Sequence, residues 1–474
     1  MILEPVPYCD DEAVFAAVRD VPGAVFLDSA LRGGELGRWS FVAASPFLTW
    51  TVRGRAVEVE RDGRTRRTDE DPFAVLERLL RELRMDSGSG LPVHAGAFGY
   101  FGYGLRRFIE RVPENGADDL SLPDGWLAFH DAVICFDHLR KEAHLCSTGL
   151  PERNQRLAAV LANERAEALR RRIARGEQTG RPDLRAGRAA EAEACIVSNF
   201  EHEGYLDVVR RAKEYIAAGD IFQANLSQRL ACRTDDEPFA LYRRLRRASP
   251  APFAAYMEVP GGAILSASPE RFLQVRGRWI ETRPIKGTRP RGSDSASDEA
   301  LANELLASAK DRAENVMIVD LERNDLGRVC KYGSVRVASL CALEAYAQVF
   351  HLVSTVEGEL RDECGPVDVL RATFPGGSIT GAPKVRAMEI IDELEPTARS
   401  VYTGAIGYIG FDGDLDLNIA IRTILMCDGW AYAQVGGGIV ADSDPEAEYE
   451  ETWDKAAGMV QALGVRGTVR AAER

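Results

Sequence analysis

From Ala24 to about Cys146 the chain is written in short apolar runs, among them Trp39 to Val42, Phe47 to Val52, Gly96 to Tyr103 and Ala132 to Phe136, separated by Gly, Pro and Asp. Runs so short and so often punctuated satisfy their backbone groups as strands joined by turns, which commits this stretch mainly to sheet. One amphipathic helix, roughly Pro72 to Leu83, interrupts it. From Pro151 to Ala194 the composition shifts to Arg, Ala and Glu. Leu and Ala recur there at helical spacing as far as Arg175, whereas GEQTGRPDLRAGR has Gly, Pro and no apolar period, so residues 176–190 read as a linker.

The second half mixes the two patterns. Glu203 to Ala218 predicts a helix closed by Gly219, and Ala263 to Ser266, Phe272 to Val275 and Trp279 to Thr282 predict strands. A long helix is expected from about Asp298 to Val319, and Ala405 to Phe411, Ile419 to Met426 and Ala431 to Val435 form an antiparallel set turning at DGD and CDGW. GAFGYFGYG at Gly96 and GAIGYIGFDG at Gly404 echo one another with glycine at every third position. Close strand packing and internal duplication both account for that echo.

At 474 residues the chain has length for about two to four domains. Its 73 acids against 59 Lys and Arg leave a formal charge of −14, which disfavours a nucleic-acid surface while leaving room for a local basic pocket. The 9 cysteines are scattered without a CxxC or CxxH spacing, the pattern of reduced thiols in a cytoplasmic protein. The opening MILEPVPYCDDEAVF has acids where an export signal needs a basic start. The apolar stretch from Ala251 to Ala267 is interrupted by Pro252, Glu258 and Pro260, short of the ~18 apolar residues of a membrane span.

Several constellations carry chemistry. PIKGTRPRG sets Lys286 among Arg283, Arg289 and Arg291, where neighbouring cations and burial favour the neutral, nucleophilic amine; a solvated basic loop or an anion clamp is the plainer reading. Asp311 and Glu314 stand three apart on one predicted helix, and Glu448 and Glu451 three apart on another, capped by Asp444 with Pro445 at its first position. Two such helices converging could hold Mg²⁺, and each pair alone also suits a solvated face. GGGIVADS offers backbone amides free of Cβ obstruction to a carboxylate or phosphate, without the GxGxxG spacing of a dinucleotide site. FPGGSITGAPK lacks the GK[ST] ending of a phosphate loop. His351 in FHLVS reads as a satisfied core histidine on an apolar strand. Arg422 in LNIAIRT must meet an acid or an anionic ligand, and Glu270 in SASPERF lies at a strand-entry turn upstream of Lys286.

Taken in order, GDIFQANLSQRL, SASPERF, PIKGTRPRG, DRAENVMIVDLERNDLGR, FHLVSTVEG, GGSITGAPKVRAMEII, YTGAIGYIGF, LNIAIRT and GGGIVADSDPEAEYEETWDKA resemble the chorismate-utilising enzymes, from about Ile196 to Leu463. That family includes anthranilate, aminodeoxychorismate, isochorismate and salicylate synthases. FLDSA and RWSFVAASP resemble its amino-terminal region more weakly. The resemblance implies an α+β fold of the anthranilate synthase component I type, with stacked antiparallel β-sheets flanked by helices. It divides the chain into an amino-terminal region over 1–150, a helical and linker segment over 151–194 and a chorismate-binding catalytic domain over 195–470.

By motif position the resemblance makes Glu314 and Glu451 direct Mg²⁺ ligands, with Asp311 and Glu448 acting directly or through water. Tyr402, Arg422, the Gly437 and Gly438 amides and Lys455 would hold carboxylates, while Thr288, His351 and Ser378 would line the ring. Isochorismate and salicylate synthases carry a water-activating lysine in the segment where this chain has Gln223, so water is not the expected nucleophile. Anthranilate synthases typically read PIAGT where this chain reads PIKGT, as aminodeoxychorismate synthases do. The implied reaction is amination of chorismate to 4-amino-4-deoxychorismate through a covalent Lys286 adduct, with Glu270 as general acid. No cysteine sits in a GxCxGxQ turn, so ammonia is expected from a separate glutamine amidotransferase subunit. The alternatives are anthranilate synthesis or, in another class, a non-catalytic anion-binding protein that keeps the fold.

Overall fold

The computed structural model describes residues 1–86, 90–179, 195–346, 349–465 and 469–471. Among these, the strands gather into a thirteen-stranded and a twelve-stranded sheet, paired antiparallel except where Ile196–Ser198 runs parallel to Val469–Ala471. The two sheets pack face to face over a layer of Val25, Phe41, Ile264 and Leu425 from one and Phe98, Tyr100, Ile406 and Tyr408 from the other. Helices cover both outer faces. Pro238–Ala248 and Pro445–Leu463 bury Phe239, Leu245 and Met459 on the larger sheet. Pro72–Glu82, Ala309–Gly327 and Pro366–Thr373 bury Leu76, Val319 and Leu370 on the smaller one. Each such large apolar side chain withdrawn from water contributes about 1.5–3 kcal/mol. The stacked, helix-flanked sheets are those expected, and no helix among the described residues is long and apolar enough to cross a membrane.

The expected boundaries at 150 and 195 do not separate the sheets, because each sheet is shared by both segments. Val25–Asp28 pairs with Phe253–Val259 in the larger sheet, and Gly96–Phe101 pairs with Ala405–Gly410 in the smaller. Those last two strands are the echoing glycine segments, placed side by side with Gly99 opposite Gly407 and Gly96 opposite Gly410. A Cβ on Gly99 would strike the Trp126 carbonyl oxygen, and one on Gly407 the Asp416 carbonyl oxygen, so close strand approach is a sufficient reason for the glycines. Of the segment expected as a helix and linker, Gln155–Thr179 is helical; the rest of the linker, 180–190, lies outside the described residues.

Two expectations need correction. The helix anticipated over Asp298 to Val319 is two helices, Ser295–Ala307 and Ala309–Gly327, broken at Ser308, whose hydroxyl caps the second by accepting from the Asp311 amide at 3.2 Å. The strand anticipated from Ile419 to Met426 is also two, Leu415–Ile419 in the smaller sheet and Thr423–Cys427 in the larger. Arg422, with φ of 51°, turns the chain from one to the other. An apolar run carries no mark of where it changes sheet.

Replacing Gly407 with Ala is expected to cost about 1–3 kcal/mol of stability. A urea-denaturation midpoint equal to that of the parent chain would show that the strands part more easily than this geometry allows.

Candidate active site

Two adjacent strands change sheets together, and site residues stand at that corner. Gly262–Ser268 leaves the larger sheet and continues as Arg271–Arg276 in the smaller, while Leu415–Ile419 makes the reverse passage into Thr423–Cys427. The corner is tied by the Ala267 amide to the Arg422 carbonyl at 3.0 Å, the Ile419 amide to the Glu270 carbonyl at 3.0 Å and the Ser268 hydroxyl to the Ile419 carbonyl at 2.6 Å. Glu270 and Arg422 therefore sit on facing turns of one hydrogen-bonded corner. Glu270 is buried at 5% exposure, and burial raises its pKa although the Ser378 hydroxyl, the Ile285 amide and nearby Lys286 favour the carboxylate. Arg422 lies at this corner, where its sequence placed it on a strand, and its electrostatic neighbours are Tyr402, Glu451 and Asp454. Among the described residues no carboxylate is within ion-pair distance of its guanidinium.

Lys286 enters the cleft from Ile285–Pro290, an edge strand of the smaller sheet. Its register against Val349–Glu359 slips between Ile285 and Thr288, a bulge that turns the amine inward. Gly287 takes φ of 82° at the bulge, and a Cβ there would lie 2.9 Å from Leu305 Cδ1 and 3.0 Å from Asp311 Cβ. His351 pins the bulge: its Nδ1 is 2.8 Å from Thr288 Oγ1, and its ring also bonds the Gly287 carbonyl. Burial and Arg422 push His351 down to about 4, so this imidazole is neutral at physiological pH.

The Lys286 ammonium donates to the Ser378 carbonyl at 3.2 Å and faces Glu314, Lys455, Glu270 and Glu451. Burial lowers its pKa, and Lys455 adds to the effect against the pull of the three carboxylates. The direction matches the sequence expectation, but the cause differs. The arginines are spent elsewhere: Arg283 on Glu344 and Thr355, Arg289 on Glu304 at 2.7 Å and Asp311 at 3.4 Å, Arg291 on Asp298 at 2.6 Å.

Ala309–Gly327 brings Glu314 to the cleft and Pro445–Leu463 brings Glu448 and Glu451. The second helix starts as its sequence indicated, with the Asp444 carboxylate accepting from the Ala447 amide at 3.0 Å and Pro445 in the first turn. Burial and mutual repulsion raise Glu314 and Glu448, while Lys455, at 2.5 Å from Glu451, holds Glu451 low despite its burial. Two further groups serve these acids: Ser443 donates to Glu448 at 2.6 Å and Lys310 lies 3.7 Å from it. Their sequence trace is only that Lys310 precedes the first acid pair and Ser443 precedes the helix cap. The carboxylate oxygens are hard donors of the kind Mg²⁺ takes. No three His, Cys, Asp or Glu side chains among the described residues converge as a closed metal site, so an ion here would complete its shell with water and substrate oxygens.

The glycine triplet is part of the strand Trp430–Ile439. A Cβ on Gly437 would lie 3.0 Å from Glu448 Oε2 and 3.5 Å from Glu451 Oε1; one on Gly438 would lie 2.6 Å from Gln223 Nε2 and 3.4 Å from Lys286 Nζ. The missing side chains are thus the space between the amine and the acids. Lys455 closes that side by donating to the Gly436 carbonyl at 2.8 Å. Tyr402 forms the inner wall, hydrogen-bonded to Asn225 and buried against Arg399.

The stacked sheets thus enclose one cleft that joins a desolvated amine, buried carboxylates and a guanidinium with no acid partner among the described residues. The chain belongs to the chorismate binding enzyme family, whose sequence model matches residues 38–461. It is 41% identical over 449 residues to anthranilate synthase component 1 of Acetivibrio thermocellus, covering 94% of this chain and 91% of that one. It is equally 41% identical over 444 residues to aminodeoxychorismate synthase component 1 of Bacillus subtilis (strain 168), covering 93% and 91%. The crystal structure of anthranilate synthase component I from Streptococcus pneumoniae TIGR4 superposes with a TM-score of 0.77 at 33% identity, over 90% of this chain and 93% of that one.

Gly438→Ala is expected to weaken chorismate binding at least about tenfold by filling the space between Gln223 and Lys286, with the melting temperature little changed. Calorimetric titration showing parental affinity would place the substrate elsewhere.

Proposed function

We propose that the chain is the synthase component that aminates chorismate to 4-amino-4-deoxychorismate, using ammonia from a separate glutamine amidotransferase. The observation that carries this reading is Lys286 itself, a desolvated amine facing the carboxylates from a bulge that would serve no purpose for a side chain directed to solvent. The name borne by the Bacillus subtilis relative supports it, and "component 1" in both relatives' names supports a partner chain.

In this reading the ring carboxylate of chorismate lies toward Glu314 and Glu451, and Arg422 and Lys455 meet the substrate's anionic groups. Neutral Lys286 attacks ring carbon C2, the diene electrons shift, and the C4 hydroxyl leaves as water with a proton from Glu270, whose burial favours the acid form. The resulting secondary ammonium keeps its proton, so that in the next step the lysine can leave as the neutral amine, and the extra proton of the new C4 ammonium returns to the Glu270 carboxylate. Ammonia then bonds to C4, the electrons shift back, and the lysine departs with its electron pair, leaving the enolpyruvyl group in place. Glu314 and Glu451, with Glu448 and Asp311 behind them, would hold Mg²⁺, which supplies neutralisation of the substrate carboxylate. Thr288, His351 and Ser378 shape the ring pocket through the bulge and the turn they secure.

Anthranilate formation is the second reading, because relatives of that name match at the same identity. Product analysis separates the two. With chorismate, Mg²⁺ and ammonium, mass spectrometry is expected to show the aminodeoxychorismate; a fluorescent aromatic anthranilate would establish the second reading instead.

Lys286→Ala should lose at least about a hundredfold in kcat while binding chorismate with Mg²⁺ as before. Turnover near that of the parent would exclude the covalent role. Glu314→Gln should abolish the dependence of chorismate affinity on added Mg²⁺, a change read by titration calorimetry without any turnover; a full Mg²⁺ response in that variant would remove Glu314 from the ligand set.

A further inference from the structure

The helix Ala309–Gly327 carries a buried acid that the reaction above does not use. Asn315, Ile318, Val319, Glu322 and Leu326 share its core-facing stripe, so Glu322, at 6% exposure, stands where an apolar side chain is the ordinary occupant. Among the described residues no cation is within ion-pair distance of it. Lys384, the cation nearby, is committed to Asp325 at 2.5 Å and to the Thr373 carbonyl at 2.9 Å. An unpaired carboxylate in such a place is very costly, and a carboxyl group there keeps its proton instead.

The hydrogen bonds require the same proton. Thr282 Oγ1 lies 2.7 Å from the Phe272 carbonyl oxygen and 3.2 Å from Glu322 Oε2. A hydroxyl has one hydrogen and a carbonyl has none, so Thr282 donates to Phe272. The hydrogen between Thr282 and Glu322 is then the carboxyl's own, and Glu322 donates to Thr282. Burial, Glu270 and Asp325 raise the Glu322 pKa well above the usual carboxylate range, against the pull of Thr282 and Lys384, in agreement with that assignment.

This link of Glu322, Thr282 and Phe272 lies directly behind both reacting side chains. Phe272 follows Glu270 by two positions, on the strand Arg271–Arg276. Thr282 ends the strand Trp279–Thr282, and the chain continues from it to Lys286 and to Ile285, whose amide bonds Glu270. Glu322 also backs the turn that bears Ser378, since a Cβ on Gly377 would lie 3.7 Å from Glu322 Cγ. Neutrality matters in this position. Glu270 becomes a carboxylate when it protonates the departing hydroxyl, and a second negative charge behind it would oppose that ionisation.

We propose that Glu322 is a positioning residue for Glu270: it stays a neutral acid through the cycle, fixes the Thr282 link behind Glu270 and Lys286, and leaves Glu270 alone to give and recover the proton. The inference rests on the general-acid role assigned to Glu270 above. Glu322→Gln keeps a neutral donor of the same shape, whereas Glu322→Leu and Thr282→Val each remove the link. The readouts are kcat against pH with chorismate, Mg²⁺ and ammonium, chorismate affinity by calorimetry, and the infrared difference spectrum of the parent against Glu322→Gln. Glu322→Leu and Thr282→Val are expected to lose about tenfold in kcat with unaltered chorismate affinity. Glu322→Gln is expected to restore kcat and leave the pH profile in place, and the difference spectrum at neutral pH to show the carbonyl stretch of a protonated carboxylic acid. A spectrum with carboxylate bands only, or an alkaline limb displaced to lower pH in Glu322→Gln, overturns the inference by showing a charge on Glu322. Parental kcat in Thr282→Val overturns it even if Glu322→Leu fails to fold, and a parallel loss of chorismate affinity overturns it by showing a merely structural role. Full turnover by Glu270→Gln refutes the general-acid reading itself, and this inference with it, whatever the infrared spectrum shows.

Discussion

The corner where two neighbouring strands exchange sheets sets the geometry on which the rest of the cleft depends. A strand that leaves one sheet must re-pair its backbone groups in the other, because unpaired buried amides and carbonyls are costly. Here the two passages pair with each other, through Ala267 to Arg422, Ile419 to Glu270 and Ser268 to Ile419. The arrangement forces Arg422 to φ of 51° and fixes Glu270 opposite it. An acid and a cation that stand 152 positions apart in the chain are thereby held on one rigid element rather than on separate loops.

Around that corner the electrostatics are arranged by subtraction. Glycines at 437 and 438 remove side chains that would otherwise fill the cleft, and the bulge at Gly287 turns Lys286 into it. The arginines beside Lys286 in sequence are neutralised by Glu344, Glu304 and Asp298, so the amine is governed by burial and by Lys455, a residue 169 positions away. Glu314 and Glu448 are raised by burial and by neighbouring acids, whereas Lys455 holds Glu451 low and Lys310 offsets part of the repulsion. A substrate bearing carboxylates would complete this balance at Arg422, whose guanidinium lacks an acid among the described residues.

Much of this was legible beforehand where the signal is local. The cap at Asp444 and Pro445, the αL glycine closing Glu203 to Ala218, the pairing of Asp311 with Glu314 and the strand carrying His351 all follow from neighbours within a few positions. Less legible was anything that depends on what lies across the fold. The run from Ile419 to Met426 is uniformly apolar on both sides of a sheet change, and the stretch from Asp298 to Val319 hides a helix break at a single serine. The basic cluster at PIKGTRPRG suggested mutual repulsion among cations because the acids that absorb the arginines are not adjacent in sequence.

The order of the motifs and the types of residue in them determined, without coordinates, the family, the stacked-sheet architecture and the roster of acids, lysines and glycines around the cleft. Only the tertiary structure decided which of those groups meet: that Lys286 is shifted by burial rather than by arginines, that His351 secures a bulge, that the glycines sit in a strand and hold space open. The reason is that a side chain's chemistry is carried by its own residue, whereas its pKa, partners and accessible volume are set by desolvation and contacts from segments far away in the chain.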